Sequence, residues 1–455
     1  MMLRSIVSVV LLSLCLTMAG STYDQQRPFG FCTRSSRSDG GTQYSYEVTG
    51  GGCYVYPVTG VSSSRVVTLT ATGSDMKTAV SNAIRDYDVI VFDGSQGDFI
   101  ISSSISLSNL RDKTLLGING ARLCSSWHAS QEIIDALNAA GVPRMSGSGG
   151  GGTLSNGRYV SEEAEFNTRQ IIINMTGDTK EAYRSSGILS LKSCENIIIR
   201  NLKFVGPGSI DVGGSDLLSF NGTKNCWVDH CDFADGMDGN FDIAQKSDFN
   251  TVSWCTFSYT ERSYTHQNTN LIGSSDNEAT GFLNTTFAFN HWGRNCRARM
   301  PMARVGKIHM LNNLFTSAGC GSSVNPRKNS EFLIEGNYWG EGVKHYYSQS
   351  GAVAVTWGAG NHVTELGGTV MPASFGATVS VPYYYSVAES SVIPEEVGQH
   401  AGATLYGAGS HTGFIRARAT TDDAHGTDAA ELRYSLSGQR VDGNVPGIVI
   451  VKSVK

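Results

Sequence analysis

Three aspartates and four arginines are the residues of this chain whose types and spacing could do chemistry. Asp238 and Asp242 enclose the segment Asp238-Gly-Asn-Phe-Asp242, and Asp216 stands 22 residues before the first of them. Folded onto one face, three carboxylates repel one another. The simplest relief is a hard divalent cation, and calcium suits flexible oxygen ligands whose shell water can complete. Read alone, two aspartates four apart are more often solvated surface residues. The arginines are Arg294, Arg297, Arg299 and Arg304, four in eleven residues. A guanidinium pairs bidentately with a carboxylate. A cationic patch across a groove from a carboxylate cluster would therefore suit a polyuronate. Read alone, the run is a charged stretch of surface.

Residues so far apart in sequence need a scaffold that brings them together, and the middle of the chain repeats. Asn196–Phe204, Cys226–Phe233, Asn250–Phe257, Asn284–Trp292, Lys307–Phe315 and Glu331–Trp339 are each a short β-like run ending in an aromatic. The aromatics Phe204, Phe233, Phe257, Trp292, Phe315 and Trp339 are spaced 29, 24, 35, 23 and 24 residues apart. A period near 24 with excursions predicts a solenoid whose loops vary on one side. A β-sandwich would not hold six aromatics at one phase, and a propeller blade needs about 40 residues. Two positions before each aromatic stand Leu202, Cys231, Cys255, Asn290, Asn313 and Asn337. Coils of a parallel solenoid lie ~4.8 Å apart, so the asparagines should form an amide ladder and the rings a stacked core column. Cys231 and Cys255 are then expected to be neighbouring, inert buried thiols. Upstream, Tyr87–Asp93 and Lys113–Leu123 read as earlier strands, Ser130–Ala140 as a short helix, and Met145–Asn156 as a Gly/Ser-rich insertion. Ser386–His400 reads as helical.

Composition agrees with an all-β fold rich in turns. The 455 residues include 53 glycines but only 10 prolines, and 16% are charged against about 25% in an average globular chain. With 40% hydrophobic residues the chain can build a large core, which excludes global disorder. A net charge of −5 argues against nucleic-acid binding through a basic surface, so an acidic substrate must be met by local cations. Residues 1–21 read as a signal peptide, with Arg4, an apolar run Ile6–Met18 and small residues at Ala19–Ser21. Export to the periplasm, cell surface or medium follows, and no other segment is apolar enough to span a membrane. Apart from Cys15, nine cysteines remain, an odd number. Cys32 and Cys53, flanking a Gly-rich stretch, are the expected bridge, and no CxxC pair suggests zinc. The organisation expected is a solenoid domain over residues 27–405, a linker over 406–430 and a short two-strand tail over 431–455.

Four segments resemble motifs of the pectate lyases, family 1 of the polysaccharide lyases. Cys226-Trp-Val-Asp-His230 is similar to their vWiDH motif and Met237-Asp-Gly-Asn-Phe-Asp-Ile243 to HDGALDI. Asn270-Leu-Ile-Gly-Ser-Ser-Asp276 is similar to TLIGxSD and Arg299-Met-Pro-Met-Ala-Arg304 to RxPxxR. They occur in the family's order, and the resemblance spans Gly30 to Ala403, most closely Asn196 to Trp339. It implies a right-handed parallel β-helix with loop insertions and a short C-terminal β appendage. It also implies a calcium-dependent β-elimination of α-1,4-linked polygalacturonate. Asp216, Asp238 and Asp242 match calcium ligands, Arg299 the arginine that removes the C5 proton, and Arg304 a substrate-binding arginine. Trp227, Asp229 and His230 match a motif that is mainly structural.

One position departs from the family. A lysine that binds substrate carboxylate usually stands just before the LIG segment. Here the position is Asn268, preceded by His266 and Gln267. Asn268 and His266 are therefore expected to contact substrate without a fixed charge, with Arg294, Arg297 or Lys307 as possible replacements for the cation. The alternatives are a pectin lyase acting on methylated pectin, against which the three aspartates argue, a hydrolytic polygalacturonase, and a non-catalytic carbohydrate-binding β-helix. The tail Tyr434–Val441, with Pro446–Val451, resembles short C-terminal segments of some bacterial secreted enzymes, which implies a bacterial source and a role in sorting or retention. A monomer is expected.

Overall fold

The computed structural model of the chain describes residues 26–33, 47–144, 152–210, 213–344, 346–364, 371–406, 432–434 and 450–452. The expected signal peptide, most of the Met145–Asn156 insertion and nearly all of the linker lie outside them. The chain divides into a unit through Ala408 and a second unit, Gly409–Lys455. In the second, Leu432–Tyr434 pairs antiparallel with Ile450–Lys452.

The first unit winds through three parallel sheets of ten, seven and nine strands among the described residues. A complete coil gives one strand to each sheet. Leu218–Asn221, Lys224–Asp229 and Asp232–Ala234 form one coil, and Phe241–Ala244, Asp248–Ser253 and Thr256–Ser258 form the next. Each strand pairs in register with its equivalent on the next coil. The corner between the second and third strands is made at the residue three before each aromatic. Asn201, His230, Trp254, Phe289, Asn312 and Gly336 all take left-handed φ values there, between 48° and 65°. Such backbone is uncommon outside glycine and asparagine, so packing of the coil imposes it on His230, Trp254 and Phe289. These side chains stack in turn: Trp254 lies 5.7 Å from His230 and 4.6 Å from Phe289, with ring planes nearly parallel.

The core follows the repeat. Phe204, Phe233, Phe257, Trp292, Phe315 and Trp339 stack with ring centroids 4.8–5.3 Å apart and planes within 14°, and all six are buried. Asn290, Asn313 and Asn337 form the amide ladder. The Nδ2 of Asn290 donates to Oδ1 of Asn313 at 3.1 Å, and that of Asn313 to Oδ1 of Asn337 at 2.9 Å. The ladder runs one coil further than the repeat suggests, to Asn361. Cys231 and Cys255 sit buried at its N-terminal end, and burial pushes the Cys255 thiol well up, as inert thiols require.

The structure corrects the disulfide expectation. Cys32 and Cys53 are both free and buried, the first against the Phe29 carbonyl and the second against that of Val55. All nine cysteines described are unbridged, so the coil stack holds without cross-links. The Lys113–Leu123 pattern is also not one strand. It turns at Asn119 (φ 52°), giving Arg111–Ile118 to the ten-stranded sheet and Arg122–Ser125 to the nine-stranded one.

Helices cover the flanks. Gln131–Ala139 begins at the expected Ser130, whose hydroxyl accepts from the Ile133 amide. Val160–Thr176 has no counterpart in the sequence reading. It buries Ser161, Glu165 and Thr168 along with Ala164 and Ile172, which hides its apolar period. The two helices pack with Ile210, Met237 and Tyr264, residues adjoining the acidic cluster. Ile393–His400, within the expected C-terminal helical stretch, covers Leu314 and Trp254.

Candidate active site

Register on the seven-stranded sheet gathers the three aspartates. Asp216 enters the strand Leu218–Asn221, and Asp242 lies within Phe241–Ala244, paired with it. The turn carrying Asp238 is bonded to both: Leu217 and Leu218 amides donate to the carbonyls of Gly239 and Asn240, and the Gly236 amide donates to Asn240 Oδ1. Asp216, Asp238 and Asp242 line one cavity of about 240 Å³ with Ser215, Ser219 and Asn221. Gly239 is required there, because a β-carbon would stand 2.7 Å from Asp216 Oδ1 and 3.2 Å from Asp242 Oδ1.

Arg299 reaches the same site from two coils further on. The amides of Asn240 and Phe241 donate to the Thr269 carbonyl, and those of Thr269 and Asn270 donate to the carbonyls of Ala298 and Arg299. Arg299 is left-handed, with φ 59°, and its carbonyl also accepts from the Thr269 hydroxyl.

The charge of Arg299 reaches two of the three aspartates. Burial pushes the Asp216 carboxyl well above the ordinary range, Asp242 and Asp238 push it further, and the Arg299 charge opposes the rise. Burial likewise raises Asp242, to about 7, against the pull of Arg299 and with a further push from Asp238. The Leu271 amide donates to Asp242 Oδ1 at 2.8 Å, but Asp216 Oδ1 is buried without a hydrogen bond. Among the described residues no three acidic, histidine or cysteine side chains are already drawn into a closed metal cluster. The orphaned oxygen, the crowded carboxylates and the all-oxygen donor set nonetheless fit a calcium ion.

The shifts have a measurable consequence. An unfolded aspartate titrates near ~3.9. The folded metal-free chain therefore holds more protons between about pH 4 and 7, and its stability falls as pH rises through that window. The Asp242 part of the penalty is complete above about 7 and absent below about 4. Thermal unfolding in chelator should show this decline, and calcium should flatten it; a flat chelated profile would contradict the shared, buried cavity.

The other expected contact residues divide. His266 is buried with Nε2 2.9 Å from Asp238 Oδ1, though not in hydrogen-bond alignment, and its Nδ1 has no partner. Asn268 pairs with Ala298, its carbonyl accepts from the Tyr259 hydroxyl, and its buried Oδ1 is unpartnered. Arg304 is turned to the rim, with Nε 2.7 Å from Asp276 Oδ1 and Nη1 3.1 Å from the Gly273 carbonyl. The suggested substitute cations are engaged elsewhere. Arg294 pairs with Glu261, Arg297 binds Gln267 and the Gly319 carbonyl, and Lys307 faces Glu331.

Sequence reasoning missed Asp235. It is buried, accepts from the Thr260 amide and hydroxyl and the Ser263 hydroxyl, and ties the loop leading to His266 onto the coil of Asp238. Its place three residues before Asp238 is the only sequence signal, and nothing distinguishes it from a solvated acid.

Trp227, Asp229 and His230 are structural, as expected. Asp229 accepts from Arg200 Nε at 2.8 Å and from the Ser253 hydroxyl at 2.6 Å, and meets His230 Nδ1 at 2.7 Å. Trp227 Nε1 donates to Ser253. Burial favours a neutral Asp229, but His230 and Arg200 hold its carboxyl below the ordinary range. Asp229→Ala should cost about 3–5 kcal/mol by removing the buried carboxylate that faces the Arg200 guanidinium. Denaturant titration measures it, and an unchanged midpoint would remove the network from the fold's support.

A family described as pectate lyase matches residues 152–405. A probable pectate lyase A of Neosartorya fischeri is 30% identical over 261 residues, 54% of this chain and 76% of the relative. Pectate lyase A of Aspergillus niger is 31% identical over 258 residues, 54% and 74% of the two chains. Among solved structures, the pectate lyase pelN of Paenibacillus sp. 0602 matches with a TM-score of 0.50 at 13% identity, over 85% of this chain and 97% of that one. That likeness is one of fold, the right-handed parallel β-helix.

Proposed function

The chain belongs to the pectate lyase family, and from that premise we propose that this polysaccharide lyase is an exported, calcium-dependent enzyme that cleaves polygalacturonate by β-elimination. One observation carries the reading: Asp216, Asp238 and Asp242 line one cavity on adjacent coils, with the charge of Arg299 acting on two of them.

The hydrogen on C5 of a galacturonate unit is α to the carboxylate and weakly acidic. Asp216, Asp238 and Asp242 would hold calcium, which when bound withdraws charge from the substrate carboxylate and offsets the acids that otherwise favour a protonated Arg299. Arg299 takes the C5 proton at a guanidinium nitrogen. The C–H electron pair forms the C4–C5 double bond, the C4–O bond breaks, and the departing oxygen takes up a proton. The products are a new end and a 4,5-unsaturated uronate. Asn268 and His266 position the substrate by hydrogen bonds, without the usual lysine charge. Arg304, held by Asp276, orients the polymer from the rim.

Export rests on residues 1–21, and no described helix is long and apolar enough to cross a membrane. The relatives reported above come from fungi and lend a bacterial source no support. The deciding experiment is the absorbance of unsaturated product on polygalacturonate, with calcium and with chelator. A calcium-dependent rise is expected. A calcium-independent rise confined to methylated pectin would mean pectin lyase, reducing ends without absorbance would mean hydrolysis, and no reaction would leave a binding protein.

A further inference from the structure

The outer face of the seven-stranded sheet carries a row of residues in register that extends well past the acidic cavity. Leu191, Phe220, Ile243, Ile272 and Ala303 are buried on the inner face. Because side chains alternate along a strand, the residue after each faces out. Lys192 pairs with Asn221 and Asn221 with Ala244. The pairings Ile243–Ile272, Ile272–Ala303 and Ala303–Pro326 then align Gly273, Arg304 and Arg327 in the same row. The row thus carries a cation on either side of the cavity, Lys192 two coils before the Asp242 strand and Arg327 three coils after it, with Ser108 and Ser350 next beyond them.

Among the described residues neither Lys192 nor Arg327 has an ion pair, whereas many other cations do. Arg65, Arg111, Arg122, Arg294, Arg304 and Lys328 each face an acid. Lys192 is exposed and has no ion pair among the described residues. Arg327 has none either; its buried Nε lacks a partner and its Nη1 lies 3.6 Å from Met302 Sδ. The nearby rim acids are occupied. Asp276 faces Arg304 and Lys328, and Glu278 accepts from the Ser274 amide and hydroxyl and from the Gln245 amide.

We infer that Lys192 and Arg327 are carboxylate-binding anchors on either side of the acidic cavity, selecting a polyuronate long enough to reach both. The inference rests on the substrate class proposed above and adds the length it must have. Five coil steps of ~4.8 Å place the anchors about 24 Å apart. A trimer centred on the aspartates reaches neither anchor fully, whereas a polymer with one carboxylate per unit meets both. Exposed pairs of this kind change affinity modestly, roughly fivefold each.

The test compares the full chain with Lys192→Ala, Arg327→Ala and the double variant, by retention in gels containing polygalacturonate and by KM and kcat on the polymer and on trigalacturonate. Expected are about fivefold weaker polymer binding and higher KM for each single variant and a larger loss for the double. The kcat and the trigalacturonate kinetics should not change, and Lys192→Arg should restore binding. A double variant that matches an active wild type on the polymer, or one that loses trigalacturonate equally, would overturn the anchors alone. A wild type that neither binds nor cleaves polygalacturonate would overturn the substrate reading together with them.

Discussion

Arg299→Ala abolishes release of unsaturated product from polygalacturonate, by about 10²–10⁴-fold or more in kcat, while the unfolding temperature stays near that of the parent. The separation follows from how the residue is held. Arg299 is fixed by its backbone: its carbonyl accepts from Asn270 and Thr269, and the flanking amides follow the sheet register. The side chain is partly buried and has no ion pair among the described residues; its charge acts on Asp216 and Asp242. Truncation therefore leaves the coil intact and removes the group facing C5. In the metal-free protein it also withdraws the cation that lowers Asp216 and Asp242, so those carboxyls titrate at still higher pH. Arg299→Lys keeps the charge but not the planar fork and should restore the carboxylate titration without restoring turnover. A parallel collapse of folding and activity in Arg299→Ala would make the arginine structural.

Asp242→Asn raises the calcium concentration needed for half-maximal activity by about 10–100-fold. Fewer ligand charges weaken an oxygen site. The same substitution relieves a buried like-charge contact, so the metal-free variant should unfold at or above the parent's temperature at pH 8, while calcium stabilises it less. This opposite movement of metal-free stability and calcium response identifies a ligand, since a merely structural aspartate would lose stability in both states. Calorimetric titration with calcium and thermal unfolding in chelator measure the two halves. An unchanged calcium midpoint would remove Asp242 from the site.

Much of the scaffold was legible because it is repetitive. A coil must present the same side chain to the same neighbour above and below, so the period and phase of the aromatics are written into the sequence, and rings and amides stack where that phase places them. The acidic trio was legible for the same reason, one coil of spacing between Asp216 and Asp242. The helix Val160–Thr176 was not, since its buried face is half polar and it belongs to no repeat. The Cys32–Cys53 bridge failed because proximity in sequence says nothing about side-chain direction, and each thiol packs against a carbonyl of its own segment. The engagement of Arg294, Arg297 and Lys307 was equally hidden, since their partners lie up to 33 residues away.

By itself the sequence determined the coil, its period, the core column and the residue types that could handle an acidic polymer, because stacking interactions repeat at fixed intervals along the chain. Only the tertiary structure decided which charges face one cavity and which are neutralised on the rim. It leaves Asp216 with an orphaned oxygen, ties Arg304 to Asp276, and aligns Lys192 with Arg327. These outcomes depend on where loops of unequal length return each strand, and on the burial that results, which no local pattern encodes.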